Sequence, residues 1–193
     1  LVSINGRSFS FCKGFTGSLT FPSELTTIDQ NAFQGCSGFT GALKIPDSVT
    51  KLGSSAFEGC TGLNGQLTLS NKITVIPNGA FRECSGLTGQ LTLQDSITSI
   101  GDNAFRQCDK LSGNLHLPTS LTKIGDNAFF FCNQFTGDLI IPEKVTSIGF
   151  QAFIYCTGFN GKITLPNTLA KIGASAFTSC SGLKGDLKIP DGV

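Results

Sequence analysis

The sequence predicts a right-handed α/β solenoid of eight 24-residue coils, built from short parallel strands and short helical turns. Three observations carry that expectation. All eight cysteines, Cys12, Cys36, Cys60, Cys84, Cys108, Cys132, Cys156 and Cys180, stand 24 residues apart. Eight phenylalanines from Phe9 to Phe177 and eight glycines from Gly17 to Gly185 keep the same period without an insertion. Within each period, apolar residues two apart, such as Leu43 and Ile45 or Leu67 and Leu69, give the alternation of a strand. A fixed period of this size means a supersecondary unit that cannot bury its apolar face alone and stacks on copies of itself. Eight periods account for 192 of the 193 residues. Residues 1–193 therefore read as a single elongated domain, and Leu1 and Val193 share a column, so the array reads as cut from something longer.

The first coil is the least regular, with Ser8 where the other seven carry Ala and with Arg7 and Phe11 at positions that are mostly small or polar later. The first strand of each coil, exemplified by Leu43 and Ile45, ends at a proline in six of eight coils, since proline cannot donate to a ladder. Ser70 and Gln94 are the exceptions. A second, shorter strand follows at Val49–Leu52 and its equivalents. Gly53, Gly101, Gly125, Gly149 and Gly173 are then expected to turn the chain, and Asp102 and Asp126 to cap a helical turn. Ala104, Cys108 and Leu111 fall at i, i+4 and i+7, one face of such a turn. Gly113 and its equivalents close the coil, where a backbone with positive φ is best tolerated by glycine. About eight apolar side chains per coil point inward, and coils about 4.8 Å apart make an array roughly 40 Å long.

A net charge of +1 with 14% charged residues argues against nucleic-acid binding, which needs a dense basic stripe. No apolar run approaches the roughly 18 residues of a membrane span, and no signal segment opens the chain. The cysteines lack the close or uneven spacings of metal sites and disulfide frameworks. One thiol per coil at constant apolar phase reads instead as a ladder of reduced, packed thiols.

With these columns laid out, the repeated pattern exemplified by Leu139, Ile141, Pro142, Val145, Ile148, Gly149, Ala152, Phe153 and Cys156 resembles the leucine-rich repeats of the BspA-like surface proteins, also called the Treponema pallidum type. The resemblance covers the whole chain. Ala-Phe-x-x-Cys is its most specific part, and these coils carry one residue more than the usual pattern, around Gly137. The resemblance implies a leucine-rich-repeat solenoid that is secreted or on the cell surface and adheres to host matrix or cell-surface proteins, with no catalytic motif and no cofactor. The eleven asparagines form no Asn-x-Ser/Thr acceptor, which favours a bacterial source.

His116, the one histidine, sits on the outward side of a strand and reads as solvated, having no second histidine to share a zinc site. The aspartates share no phase dense enough for a calcium ladder. Lys51, Lys123 and Lys171 share an exposed column and make a weakly basic face. A sharper signal follows the core Phe of two coils. There, Gln34-Gly35, Glu58-Gly59, Arg82-Glu83 and Arg106-Gln107 give way to Phe130-Phe131 and Ile154-Tyr155, while Phe150 replaces Asp102 and Asp126 of earlier coils. Phe130, Phe131, Phe150, Ile154 and Tyr155 are thus the expected protein-binding residues, with Phe150 and Ile154 meeting four apart on a short helix. The expected function is a non-enzymatic protein-binding or adhesion module. The competing reading is a structural spacer that presents another domain and has no ligand of its own. Self-association end to end, or through the patch, is a further expectation.

Overall fold

Each 24-residue period closes one turn of backbone, and the polar groups that one turn leaves open are taken up by the next. The computed structural model describes residues 2–193; Leu1 lies outside them. Counted from glycine to glycine, 168 residues (17–184) form seven complete turns, with part turns at 2–16 and 185–193. The eight expected coils are therefore seven whole turns and two incomplete ones. Among the described residues there are seventeen short strands, every pairing is parallel, and there is no helix.

The second strand of each turn stacks in register with its copies, from Ser3–Ile4 and Thr27–Ile28 to Lys51–Leu52, and again from Val75–Ile76 to Lys171–Ile172. The ladder is split into three and five strands at one place, and the cause is a single residue. The residue after this strand normally donates its N–H to the preceding turn, as Gly53 does to Ile28 O and Gly101 to Ile76 O. Pro77 occupies that position in the fourth strand and has no N–H to give. The glycines of this column do not provide a positive φ. A Cβ at Gly53 would overlap the backbone of Asp29 and Gln30, so glycine is there to let successive turns approach. The glycine that closes the turn behaves as expected, with φ of 78–82° at Gly17, Gly41, Gly89, Gly113, Gly137 and Gly185.

The expected helical turn is replaced by something narrower. The Phe9-to-Phe177 column is a continuous stack of rings, with centroids 5.2–5.8 Å apart and planes within 1–12° of one another. Turns that close together leave no room for helices about 10 Å across. The backbone instead alternates its donors. In the fifth turn Asn103, Phe105 and Gln107 donate across to Asp126, Ala128 and Phe130 carbonyls at 2.7–2.8 Å, while Ala104, Arg106 and Cys108 donate back along their own turn to Gly101, Asn103 and Phe105. This zigzag requires a left-handed residue every fourth position, at Asn103 (φ 57°) and Gln107 (φ 58°) here and at the same two positions of every turn. Asp102 and Asp126 are accordingly not helix caps. Each accepts the backbone N–H of its copy in the next turn, from Asp126 at 2.9 Å and Phe150 at 2.7 Å. Ala104, Cys108 and Leu111 do face the core, fully buried, but from turns rather than a helix.

In the turn that begins at Gly41, the eight inward side chains are Leu43, Ile45, Val49, Leu52, Ala56, Phe57, Cys60 and Leu63, all buried. The thiols are part of the wiring. From Cys36 to Cys180, each Sγ donates to the carbonyl of the Phe in the preceding turn at 2.9–3.1 Å, and no disulfide forms. A small apolar side chain with one weak donor fits this column. Burial pushes the thiols up, Cys60 to about 12 and Cys180 to about 11, with Cys84, Cys108, Cys132 and Cys156 well above the ordinary value. At the chain ends Leu187, Ile189 and Val193 are exposed, while Ile4 is buried.

The Ser70 exception in the proline column also has a structural cause. In the next two turns, and again at Thr168, a hydroxyl two positions further on donates to the preceding turn, as Ser96 does to Ile73 O, Ser120 to Ile97 O and Thr168 to Val145 O. Lys72 stands at that position in its own turn and has no hydroxyl, and Ser70, fully buried, donates to Val49 O at 2.6 Å instead. Ser70→Pro is therefore expected to lower stability by about 1–3 kcal/mol, the cost of an unsatisfied buried carbonyl. The double variant with Lys72→Ser should recover most of it. Denaturant unfolding measures both, and a neutral Ser70→Pro would refute the exchange.

The raised thiols set a pH dependence with a definite sign. Unfolded thiols ionise near 8.5 while the folded ones stay neutral, so the folded state binds more protons above that value and stability falls as pH rises, by about 1.4 kcal/mol per pH unit per thiol. Melting should be flat from neutrality to about pH 8.5 and decline steeply beyond it. Cys84→Ser with Cys108→Ser keeps both donors, yet should make the decline shallower by about 3 kcal/mol per pH unit. An unchanged slope would contradict this assignment.

Candidate functional site

The two residues that follow each core Phe project on one side of the solenoid and make a ridge along it. The second of them is always left-handed, because its N–H must reach the next turn: Phe131 N donates to Ile154 O at 2.9 Å and Tyr155 N to Thr178 O at 3.0 Å. Gly35 and Gly59 suit that conformation at φ of 70° and 71°. Phe131 and Tyr155 adopt it as bulky residues at φ of 63° and 60°, at a cost of roughly 1–2 kcal/mol each. Phe11 does so too in the first turn, at φ of 59°, where its ring lies over Gly35.

The structure brings three of the five expected residues into ring contact. Phe131 and Tyr155 have centroids 5.6 Å apart, and Phe130 lies 6.3 Å from each. Phe131 is 39% exposed and Tyr155 42%, with Phe130 half-buried beneath them. Ile154 is buried at 6% and forms part of the floor rather than the surface. Phe150 is 45% exposed but forms no ring pairing with the other three among the described residues. With no helix present, its four-residue spacing to Ile154 does not imply a shared helical face.

One neighbour was not singled out from the sequence. Arg106, one turn before Phe130 in the same column, places its guanidinium carbon 4.6 Å from the Phe130 ring centroid, a cation–π contact. The only signal for it in the sequence is its setting: Arg82 stands among Glu58 and Glu83, whereas Arg106 stands between Arg82 and Phe130 with Gln107 beside it. His116 lies elsewhere, on the outer face of the first strand, where it lines an open cleft of about 600 Å³ with Asp138, Ile140 and Glu143. Among the described residues, no three His, Cys, Asp or Glu side chains converge as a metal site. Lys51 of the basic column meets Asp29 at 3.5 Å, with both side chains open to solvent.

Against this geometry, comparison with known proteins gives a consistent result. The BspA type leucine rich repeat region matches in six copies over residues 1–112 and 88–193. No curated protein matches. A leucine-rich cell surface protein from Faecalibacterium prausnitzii is similar at 25% identity and a TM-score of 0.64, over 95% of this chain and 56% of that one. The chain thus spans little more than half the length of that protein. A leucine-rich repeat protein of T. pallidum shares the fold at 23% identity and a TM-score of 0.65, over 95% of this chain and 72% of that one. One from Bacteroides ovatus does so at 21% identity and 0.60, over 95% and 69%. Among the described residues, no helix is long and apolar enough to cross a membrane. With repeats of that family matched from end to end and the parallel solenoid in place, the chain belongs to the BspA-type leucine-rich-repeat family.

Proposed function

We propose that this solenoid is a non-enzymatic adhesion module of a bacterial cell-surface or secreted protein, and that it holds a host matrix or cell-surface protein through the Phe130, Phe131 and Tyr155 cluster. Phe150 flanks the contact and Ile154 supports it. One observation carries the reading: Phe131 and Tyr155 are large, exposed and left-handed at a position where glycine costs nothing. The backbone is left-handed there in every turn, so what sets these two neighbouring turns apart is the pair of bulky exposed side chains, and exposed aromatic groups of adjacent turns are the residue types that dominate interfaces. Family membership and the resemblance to a Faecalibacterium cell surface protein favour the surface location.

Size argues about the kind of contact. An aromatic side chain buries about 150–250 Å², so Phe131 and Tyr155, each exposed by roughly two-fifths, with the less exposed Phe130 beneath them, offer on the order of 200 Å² together. A stable interface takes about 800 Å² from each partner. The cluster is therefore an anchor within a larger contact, and alone it does not hold two copies together. The spacer reading accounts for the uniform columns elsewhere but gives no reason for aromatic residues at left-handed positions.

The double replacement Phe131→Gly with Tyr155→Gly separates these readings. Relief of the left-handed backbone, about 1 kcal/mol per site, offsets the ring packing lost, about 0.5–1.5 kcal/mol, so folding stability should change little. Retention of the purified protein on decellularised epithelial matrix should drop at least about tenfold, as expected for two interface anchors. Undiminished retention would favour the spacer. A stability loss of about 3 kcal/mol or more would mean that the rings are core.

A further inference from the structure

We infer that Arg106 is the specificity residue of the aromatic cluster and that the partner segment it reads carries a carboxylate beside an apolar side chain; the inference rests on the cluster being the contact site. The contrast with Arg82, one turn earlier in the same column, is what singles it out. Arg82 is neutralised within the chain, by Glu58 at 3.5 Å and Glu83 at 3.0 Å. Arg106 forms no ion pair among the described residues, its buried Nε has no acceptor, and Asp109, three residues on, forms no ion pair with it. Its guanidinium is held against the Phe130 face at 4.6 Å.

That arrangement suits recognition of an acid. Stacking on an aromatic face partly desolvates the guanidinium and fixes it, while the two Nη groups, which have no hydrogen-bond or ion-pair partner among the described residues, are left to donate as a planar fork that matches the two oxygens of a carboxylate. Phe130 touches Phe131 and Tyr155, so a group bound at the fork lies beside two exposed rings. The site thus has an apolar half and a cationic half, and an apolar residue followed by Asp or Glu in an extended polypeptide satisfies both. A lysine in place of Arg106 would keep the charge and lose the fork.

The probes are N-acetyl-Phe-Asp-amide and its neutral isostere N-acetyl-Phe-Asn-amide, titrated into the full chain while the ring signals of Phe131 and Tyr155 and the Nε–H signal of Arg106 are followed by NMR. The Asp probe should bind at least about threefold tighter than the Asn probe, within the range of a partly exposed charge-assisted pair. In Arg106→Gln the two probes should bind alike while the ring signals still respond, with thermal unfolding unchanged as the check on folding. Equal binding of the two probes to the native chain, with the rings responding, would overturn the carboxylate assignment and leave the aromatic contact standing. A preference that survives Arg106→Gln would overturn the role of Arg106. Rings silent to both probes would overturn the contact site itself.

Discussion

Everything in this chain depends on backbone hydrogen bonds running from each turn to the next. They fix the turns about 5.5 Å apart on the side where the rings stack, and that spacing decides which structures can follow the strands. A helix satisfies its own N–H groups and offers none sideways; it is also about twice too wide. The zigzag seen here gives alternate donors to the neighbouring turn and keeps the others at home. Its cost is two left-handed residues per turn. The whole ridge on which the candidate site stands consists of one of those two positions and the residue before it.

The same constraint explains the side chains whose columns are most constant. Every buried carbonyl that the backbone leaves open needs a donor from the next turn, and the thiols give one to each core Phe carbonyl from Phe9 to Phe153. At Lys72, where the usual hydroxyl is missing, Ser70 takes its place. Where no substitute exists the ladder simply breaks, as at Pro77, while the ring stack and core run on past it. Stability is distributed turn by turn, so local breaks are tolerated.

Period, strand positions, inward columns and the free thiols were legible because each is a matter of spacing and polarity, which survive without knowledge of the partner turn. The helical turn at Asp102–Leu111 was misread for a reason of the same kind. An apolar spacing of four and seven, with Asp at its head, describes a helix face and also a zigzag of four-residue turns, and only the distance to the next turn separates them. Asp102 and Asp126 do bind backbone N–H groups, but those of the following turn. The aromatic intrusion at Phe130, Phe131 and Tyr155 stood out against the five polar or small pairs from Gln34-Gly35 to Arg106-Gln107 and at Thr178-Ser179. Ile154 and Phe150 could not be placed without the backbone, and Arg106 acquires meaning only from the ring beneath it and the missing acid beside it.

The central claim is that residues 102–108 form a laterally bonded zigzag rather than a helix, and proton NOEs between backbone groups test it most directly. The account predicts strong contacts from the Phe105 amide to the Ala128–Phe129 backbone of the next turn, in line with its 2.8 Å bond to Ala128 O, together with intraresidue amide-to-Hα contacts at Asn103 and Gln107 typical of positive φ. A run of Hα-to-amide contacts three residues apart across 102–108, with none to residues 126–130, would show a helix and contradict it.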